Sequence, residues 1–244
     1  MGICTMMGIS TVTNLPVSDY TDAWHPDIPE RYRNKITHGN ARDLADAIPD
    51  CSVDLVFCDP LYDAIDDYGW LAAMSARVLR DDRACLAWIA TPRLPDVVSI
   101  MSLHLRWAWL LYWQRHGYMA PGRAGLTVIT PCVWFEKGHS RTFTKMADWC
   151  STTNNGRRAR KHEWGKPLDL VSKWINAFTC PGDLVFDPFA GSGVVACACK
   201  ALGRRSISFE IKRSTAALAR MNLLRTPLPL FVVPPEQMEL AIDV

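Results

Sequence analysis

Leu184 to Ile211 reads LVFDPFAGSGVVACACKALGRRSISFEI, and this stretch decides the fold class. Leu184 to Phe186 is a short apolar run suited to a buried strand, and it ends on Asp187. Gly191-Ser192-Gly193 follows and opens directly into a helical pattern over Ser192 to Leu202, closed by Gly203. A second strand candidate, Ser206 to Phe209, ends on Glu210. Strand, glycine turn, helix and acid-terminated strand form one unit of an α/β sheet that binds ligands. The glycines let backbone approach a ligand closely. The free N–H groups of a helix start favour a carboxylate or phosphate, and an acid at the next strand end accepts ribose hydroxyl protons. A glycine turn by itself also fits a nucleotide site, a dinucleotide site, or a tight turn with no ligand.

The alternation extends outward through the chain. Residues 1–30 carry Pro16, Pro26 and Pro29 without periodicity and read as an extended arm. Strands are expected at Lys35 to His38, at the apolar run Val53 to Cys58 (VDLVFC) and at Ala84 to Ile89. Helical spacing covers Ala41 to Ile48, Gly69 to Leu79 and Pro95 to Leu103, with an acidic loop at Asp63 to Asp67. Trp107 to Trp113 and Thr127 to Phe135 read as an antiparallel pair closing one edge of the sheet. Residues 137–165 are polar and basic and read as a short insert. Lys166-Pro167 starts a helix that runs to about Phe178, and the last helix is Lys212 to Leu224. The expectation is a mostly parallel sheet with an antiparallel edge, helices on both faces, and one domain over residues 1–244. Ligands in such sheets bind beyond the carboxyl ends of the strands, where strand order reverses.

Asp59-Pro60-Leu61-Tyr62 lies at such an end, directly after Val53 to Cys58. By itself an Asp-Pro pair after a strand is a common turn. The flanks add weight: Gly39-Asn40 precedes, then PDCSVDLVFCDPLYD over residues 49–63. This stretch resembles the approach to the DPPY motif of DNA amino-methyltransferases. PGDLVFDPFAGSG over residues 181–193, followed by Leu202-Gly203-Arg204 and Glu210, resembles the S-adenosylmethionine motif of the same family. His162, Lys166 and Pro167 match the HPTQKP-type segment of its beta group, in which the catalytic motif precedes the cofactor motif.

The resemblance implies a Rossmann-like methyltransferase fold with circularly permuted motif order. It implies that the backbone of Phe189, Ala190, Gly191, Ser192 and Gly193, with Asp187, holds the methionine end of S-adenosylmethionine. Glu210 would bind the ribose, Asn40 would lie near the adenine ring, and Lys166 and Asp59 would line the methionine end. Asp59, Pro60 and Tyr62 are the implied catalytic residues. An exocyclic base amine is a poor nucleophile because its lone pair is delocalised into the ring. A carboxylate accepting one N–H and a backbone carbonyl accepting the other favour the pyramidal amine, and an aromatic ring stacks on the extruded base. An Asp in the first motif position points to adenine N6, with cytosine N4, an RNA substrate, or a silent nucleic-acid-binding subunit as the rivals. Two departures stand out: Leu61 replaces the family's second proline, and Val194 replaces its usual threonine.

Charge supports a nucleic-acid partner. The 244 residues carry net charge +2, but residues 137–166 hold eight Lys/Arg against two Asp/Glu, which leaves the remainder slightly acidic. Arg157, Arg158, Arg160 and Lys161 in that stretch are the expected DNA contacts, and 137–165 is the expected target-recognition region. The Trp107, Trp109 and Trp113 cluster suits a core or a homodimer interface. Nine cysteines without a CxxC pair argue for reduced thiols and no metal framework, and no apolar run is long enough to span a membrane. A cytoplasmic restriction-modification enzyme of bacterial or phage type is the implied setting.

Overall fold

Period-2 alternation in the apolar strands builds a sheet covered on both faces. In the computed structural model, residues 24–116, 120–123, 125–153 and 165–229 are described. The strands are β1 (Lys35–His38), β2 (Val53–Cys58), β3 (Leu79–Trp88), β4 (Arg106–His116), β5 (Ala120–Gly122), β6 (Gly125–Thr127), β7 (Ile129–Lys137), β8 (Trp149–Thr153), β9 (Leu184–Asp187) and β10 (Arg205–Glu210). The helices are α1 (Ala41–Leu44), α2 (Ile65–Val78), α3 (Leu94–Met101), α4 (Leu168–Phe178), α5 (Val194–Ala201) and α6 (Arg213–Arg225). Eight strands form one sheet in the order β1-β10-β9-β2-β3-β7-β4-β8, and β5 pairs with β6 separately. Only β7 among the eight runs antiparallel to its neighbours. This is a Rossmann-like, mostly parallel sheet.

Leu55, Phe57, Ala84, Leu86, Trp88 and Val185 point to one face and pack under α4 and α5. Val56, Cys58, Cys85, Ala87 and Phe186 point to the other face, under α2 and its neighbours. Helix α4 earns its place by burying Leu170, Val171, Trp174, Ile175 and Phe178, a stripe at helical spacing. Trp174 stacks on Trp88 with ring centroids 4.8 Å apart, and Phe57 lies 6.1 Å from it. Trp113 meets Trp88 edge-on at 6.0 Å. Aromatic contacts of this geometry add about 0.5–1.5 kcal/mol each beyond buried area.

Several expectations are corrected. The antiparallel pair is β4 and β7, but the sheet edge is β8, a strand within the stretch read as an insert. Its five residues, WCSTT, are too few to show a period, and its parallel pairing with β4 is a tertiary event. The acidic loop is shorter than expected: Asp66 and Asp67 form the first turn of α2, where carboxylates suit the helix dipole. Strand β3 starts five residues early, at Leu79, and passes through a positive φ of 58° at Asp82. Helix α5 starts at Val194, because Gly193 is its left-handed cap. Residues 24–30 are no free arm, since Ile28 and Tyr32 are fully buried and Tyr32 packs on Phe209. Trp113 is buried and Trp107 half-buried, whereas Trp109 and Trp149 are exposed on the outer strands.

Strand β2 is not wholly apolar in effect. Asp54 is completely buried, pairs with Arg80 at 3.2 Å and Arg83 at 3.1 Å, and accepts the Leu184 amide at 2.9 Å. This carboxylate ties the amino ends of β2, β3 and β9 together. A buried charge is tolerated when it is paired and hydrogen-bonded, and losing one partner strands the others. Asp54→Ala should lower stability by about 2–3 kcal/mol, read as a fall in the urea midpoint with little change in slope.

Candidate active site

The two motifs, 128 positions apart in the chain, meet because β2 pairs in parallel with β9, Leu55 against Val185 and Val56 against Phe186. After β2 the chain turns through α2 to β3 on one side; after β9 it turns through α5 to β10 on the other. Strand order therefore reverses between these two strands, the point at which open α/β sheets hold ligands. A cavity of about 350 Å³ opens there. Asp59, Trp88, Lys166, Asp187, the Phe189–Ser192 turn and Thr215 are among its lining residues.

The glycine turn is held in three ways. Phe189 N donates to Asp187 Oδ1 at 3.0 Å, and Ala190 N donates to the Phe209 carbonyl at 2.8 Å. Gly191 N donates to Glu210 Oε2 at 2.9 Å, while Lys212 N donates to Oε1 at 2.8 Å. Gly193 has φ +81°, and a Cβ there would sit 3.0 Å from that of Ala219. Only glycine meets both demands, so α6 can lie close against the turn.

Asp187 is wholly buried, and this desolvation pushes its carboxyl well above the ordinary carboxylate range; the Phe189 amide opposes the rise, and the nearby Asp59 and Glu210 charges add to it. On the other wall, Tyr62 is also pushed up, by burial first and by Asp59 second, so its phenol stays neutral. Cys58 beneath the site is pushed up chiefly by burial and behaves as an inert core thiol.

Leu55 and Phe57 point to the face that α4 covers, and Lys166, just before that helix, reaches Asp59, the residue after β2. Its ammonium donates to Asp59 Oδ2 and, at 3.0 Å, to Tyr62 Oη. The nitrogen also lies 5.1 Å from the Trp88 ring centroid. Asp59 Oδ1 is buried with no hydrogen-bond partner among the described residues.

Most of the expected site residues thus converge: Asp59, Lys166, Asp187, Phe189, Ala190, Gly191 and Ser192 line the cavity, with Tyr62, Glu210 and Gly193 one contact behind. Pro60 is buried beside Asp59. Asn40 also caps α1: its Oδ1 accepts the Arg42 amide at 3.0 Å. It lies two residues past His38, which is opposite Glu210, and so remains at the same end of the sheet. Arg157, Arg158, Arg160, Lys161, His162 and Trp164 lie outside the described residues. Sequence reading missed Trp88 and Thr215; Trp88 ends β3, a position the strand-end rule points to. A larger cavity of about 640 Å³ lies beside the amino ends of β1 and β10. Its cations serve backbone there, with Lys200 donating to the Leu223 carbonyl at 3.0 Å and Arg220 to the Ile36 carbonyl at 2.8 Å. Such contacts stabilise strand and helix ends, as cations near helix carboxyl ends do.

The raised Asp187 carboxyl has a testable sign. In the unfolded chain it ionises at its ordinary value, in the folded chain only at higher pH, so the residue contributes most below the unfolded value and loses stability as pH rises through the folded one. Asp187→Asn should therefore stabilise the ligand-free protein at neutral pH and lose that advantage in acid. Urea unfolding of both proteins across a pH series checks it.

Comparison with known proteins agrees with this geometry. Residues 104–221 match the family model described as DNA methylase. The type II methyltransferase M2.DpnII of Streptococcus pneumoniae is 40% identical over 65 residues, which is 27% of this chain and 24% of that protein. M.MthZI of Methanothermobacter thermautotrophicus, also a type II methyltransferase, is 32% identical over 72 residues, 30% of this chain and 20% of that protein. The aligned stretches thus span about a fifth to a quarter of the curated relatives' lengths. Among solved structures, a complex of M1.HpyAVI with SAM superposes with TM-score 0.67 and 21% identity, covering 78% of this chain and 98% of that one. The cytosine-N4-specific PvuII DNA methyltransferase gives 0.69 and 17%, covering 83% and 89%. At these identities the structural likeness speaks for the fold. The motifs, their meeting at the switch point and the sequence matches together make the chain similar to the N6-adenine and N4-cytosine DNA methylases.

Proposed function

We propose that this protein transfers a methyl group from S-adenosylmethionine to adenine N6 in DNA, acting on a base flipped out of the duplex. One observation carries the reading: Asp59, from the Asp59–Tyr62 motif, and the Asp187–Ser192 turn line the same cavity. The donor set suits a cofactor of net positive charge, since Asp59, Asp187 and Glu210 all lie at this end of the sheet. The Phe189–Gly193 backbone and Asp187 would hold its methionine end. Glu210 would take the ribose, because each of its oxygens keeps a lone pair beyond those given to Gly191 and Lys212. Asn40, with its amide nitrogen left as a donor, would lie toward the adenine. When bound, S-adenosylmethionine supplies an electrophilic methyl group on a sulfonium.

The protein's own groups then do three things. Asp59 Oδ1 and the Pro60 carbonyl accept the two N–H bonds of the exocyclic amine and favour its pyramidal form. Tyr62, neutral and carried on the same loop, stacks on the extruded ring. As the N6 lone pair forms the new C–N bond, the methyl–sulfur bond would break with its electron pair left on a neutral thioether, and one N6 proton would leave toward Asp59 Oδ1. Residues 137–165 would supply target recognition, with Arg157, Arg158, Arg160 and Lys161 neutralising phosphates, so binding would weaken steeply with salt.

Labelled S-adenosylmethionine and unmethylated duplex DNA, followed by nucleoside mass spectrometry, test the reading. N6-methyladenine is expected, reduced at least ~10³-fold by Asp59→Ala. N4-methylcytosine would overturn the base assignment and keep the mechanism; cofactor binding without methylated DNA would overturn the substrate. Leu61 bears on rate rather than on pocket shape, because its side chain is 76% exposed and its carbonyl accepts the Ala64 amide at 3.0 Å. Leu61→Pro should raise kcat by about two- to threefold by stiffening the loop, as single-turnover methylation would report.

A further inference from the structure

Lys166 contacts both ends of one four-residue loop. Its side chain is only 7% exposed, it pairs with Asp59 Oδ2, and it donates to Tyr62 Oη at 3.0 Å. Its nitrogen lies 5.5 Å from the Tyr62 centroid and 5.1 Å from that of Trp88, both within cation–π range. Taking an ammonium out of water is costly unless its partners are fixed, so such a group is poorly explained as incidental neutralisation. Here the partners are fixed from two sides. Asp59 follows the buried strand β2, and Lys166 precedes α4, whose Trp174 stacks on Trp88. The pairing uses one carboxylate oxygen and leaves Oδ1 buried and without a partner among the described residues.

We propose that Lys166 is a positioning residue for methyl transfer: it clamps Asp59 to Tyr62 across the loop and leaves Asp59 Oδ1 as the acceptor for the incoming amine. The proposal rests on the methyltransferase reading above. It also accounts for Leu61. A proline at that position would restrict the loop by fixing φ, and leucine does not. A hydrogen-bonded bridge between positions 59 and 62 removes the same freedom by another route. Lys166 acts through its two partners and touches no reacting atom.

The clamp predicts a particular pattern of rescue. Wild type, Lys166→Met, Leu61→Pro and the double variant should be compared for kcat at saturating cofactor and for S-adenosylmethionine Kd by calorimetry. Lys166→Met is expected to lower kcat about 30-fold with Kd changed less than about threefold, and Leu61→Pro to recover at least about fivefold of that loss. A tenfold weaker Kd with kcat retained at saturation would make Lys166 a cofactor ligand and overturn the proposal; so would a proline that recovers nothing. If Lys166→Met does not fold, Lys166→Gln takes its place with the same criteria. Should the wild type methylate nothing, the reaction reading fails by itself, and an unfolding cycle between Lys166→Met and Tyr62→Phe then decides the clamp. Coupling of at least about fivefold in the unfolding constant supports it, and coupling under about twofold overturns it.

Discussion

Parallel pairing of β2 with β9 is the contact on which the rest of the molecule depends. The pairing is short, with two register partners, Leu55 to Val185 and Val56 to Phe186. It is held at its amino end by Asp54, which reaches the Leu184 amide and two arginines of β3. At its carboxyl end it sets Asp59 beside Asp187. The chain leaves these strands toward opposite sides of the sheet, and the cavity lies between them. Helices α4 and α5 pack on one face and α2 on the other because the strands alternate their side chains. Asp59 follows directly after β2, where Lys166 pairs with it.

Negative charge is concentrated at this end of the sheet. Asp187 is buried and pairs with no cation among the described residues, Glu210 accepts one backbone amide from the glycine turn and one from Lys212, and Asp59 shares one oxygen with Lys166. Such an arrangement costs stability in the ligand-free protein and suits a ligand that brings positive charge. Glu210 has two jobs in this view. Its hydrogen bonds fix the turn and the start of α6, and each oxygen keeps a lone pair for a ligand. The fixed turn means that little reorganisation is needed when a ligand arrives, which is the physical meaning of a preorganised site.

The outer half of the sheet has a different character. Strand β7 reverses direction between β3 and β4, and β8 then pairs in parallel outside β4. This edge exposes Trp109 and Trp149, while Trp113 turns inward to donate to Thr152 at 2.7 Å. Trp109 donates to Asp148 at 3.2 Å, so its ring is fastened though exposed. The stretch proposed for target recognition, residues 137–165, contains β8 and ends directly before Lys166, the lysine of the site.

Much of this was legible in the sequence. Buried parallel strands announce themselves as apolar runs, and Val53 to Cys58, Ala84 to Ile89 and Leu184 to Phe186 were read from that. The glycine turn and its helix were read because Gly191 and Gly193 sit between a strand and a 3.6-residue period. What failed was local signal of other kinds. Strand β8 has no period long enough to see, the first turn of α2 hides behind three aspartates, and Asp54 sits in an apolar run without announcing its partners. Lys166 does line the cavity as expected, but its neighbours in sequence say nothing of its pairing with Asp59.

The chain by itself determined at which strand ends the two motifs stand, because strand period, turn glycines and acid positions are local properties. Only the tertiary structure decided that β2 and β9 are neighbours and that Lys166 bridges Asp59 and Tyr62. Those contacts join residues more than a hundred positions apart. Pairwise proximity of that kind is a property of the folded chain, set by which buried faces must meet.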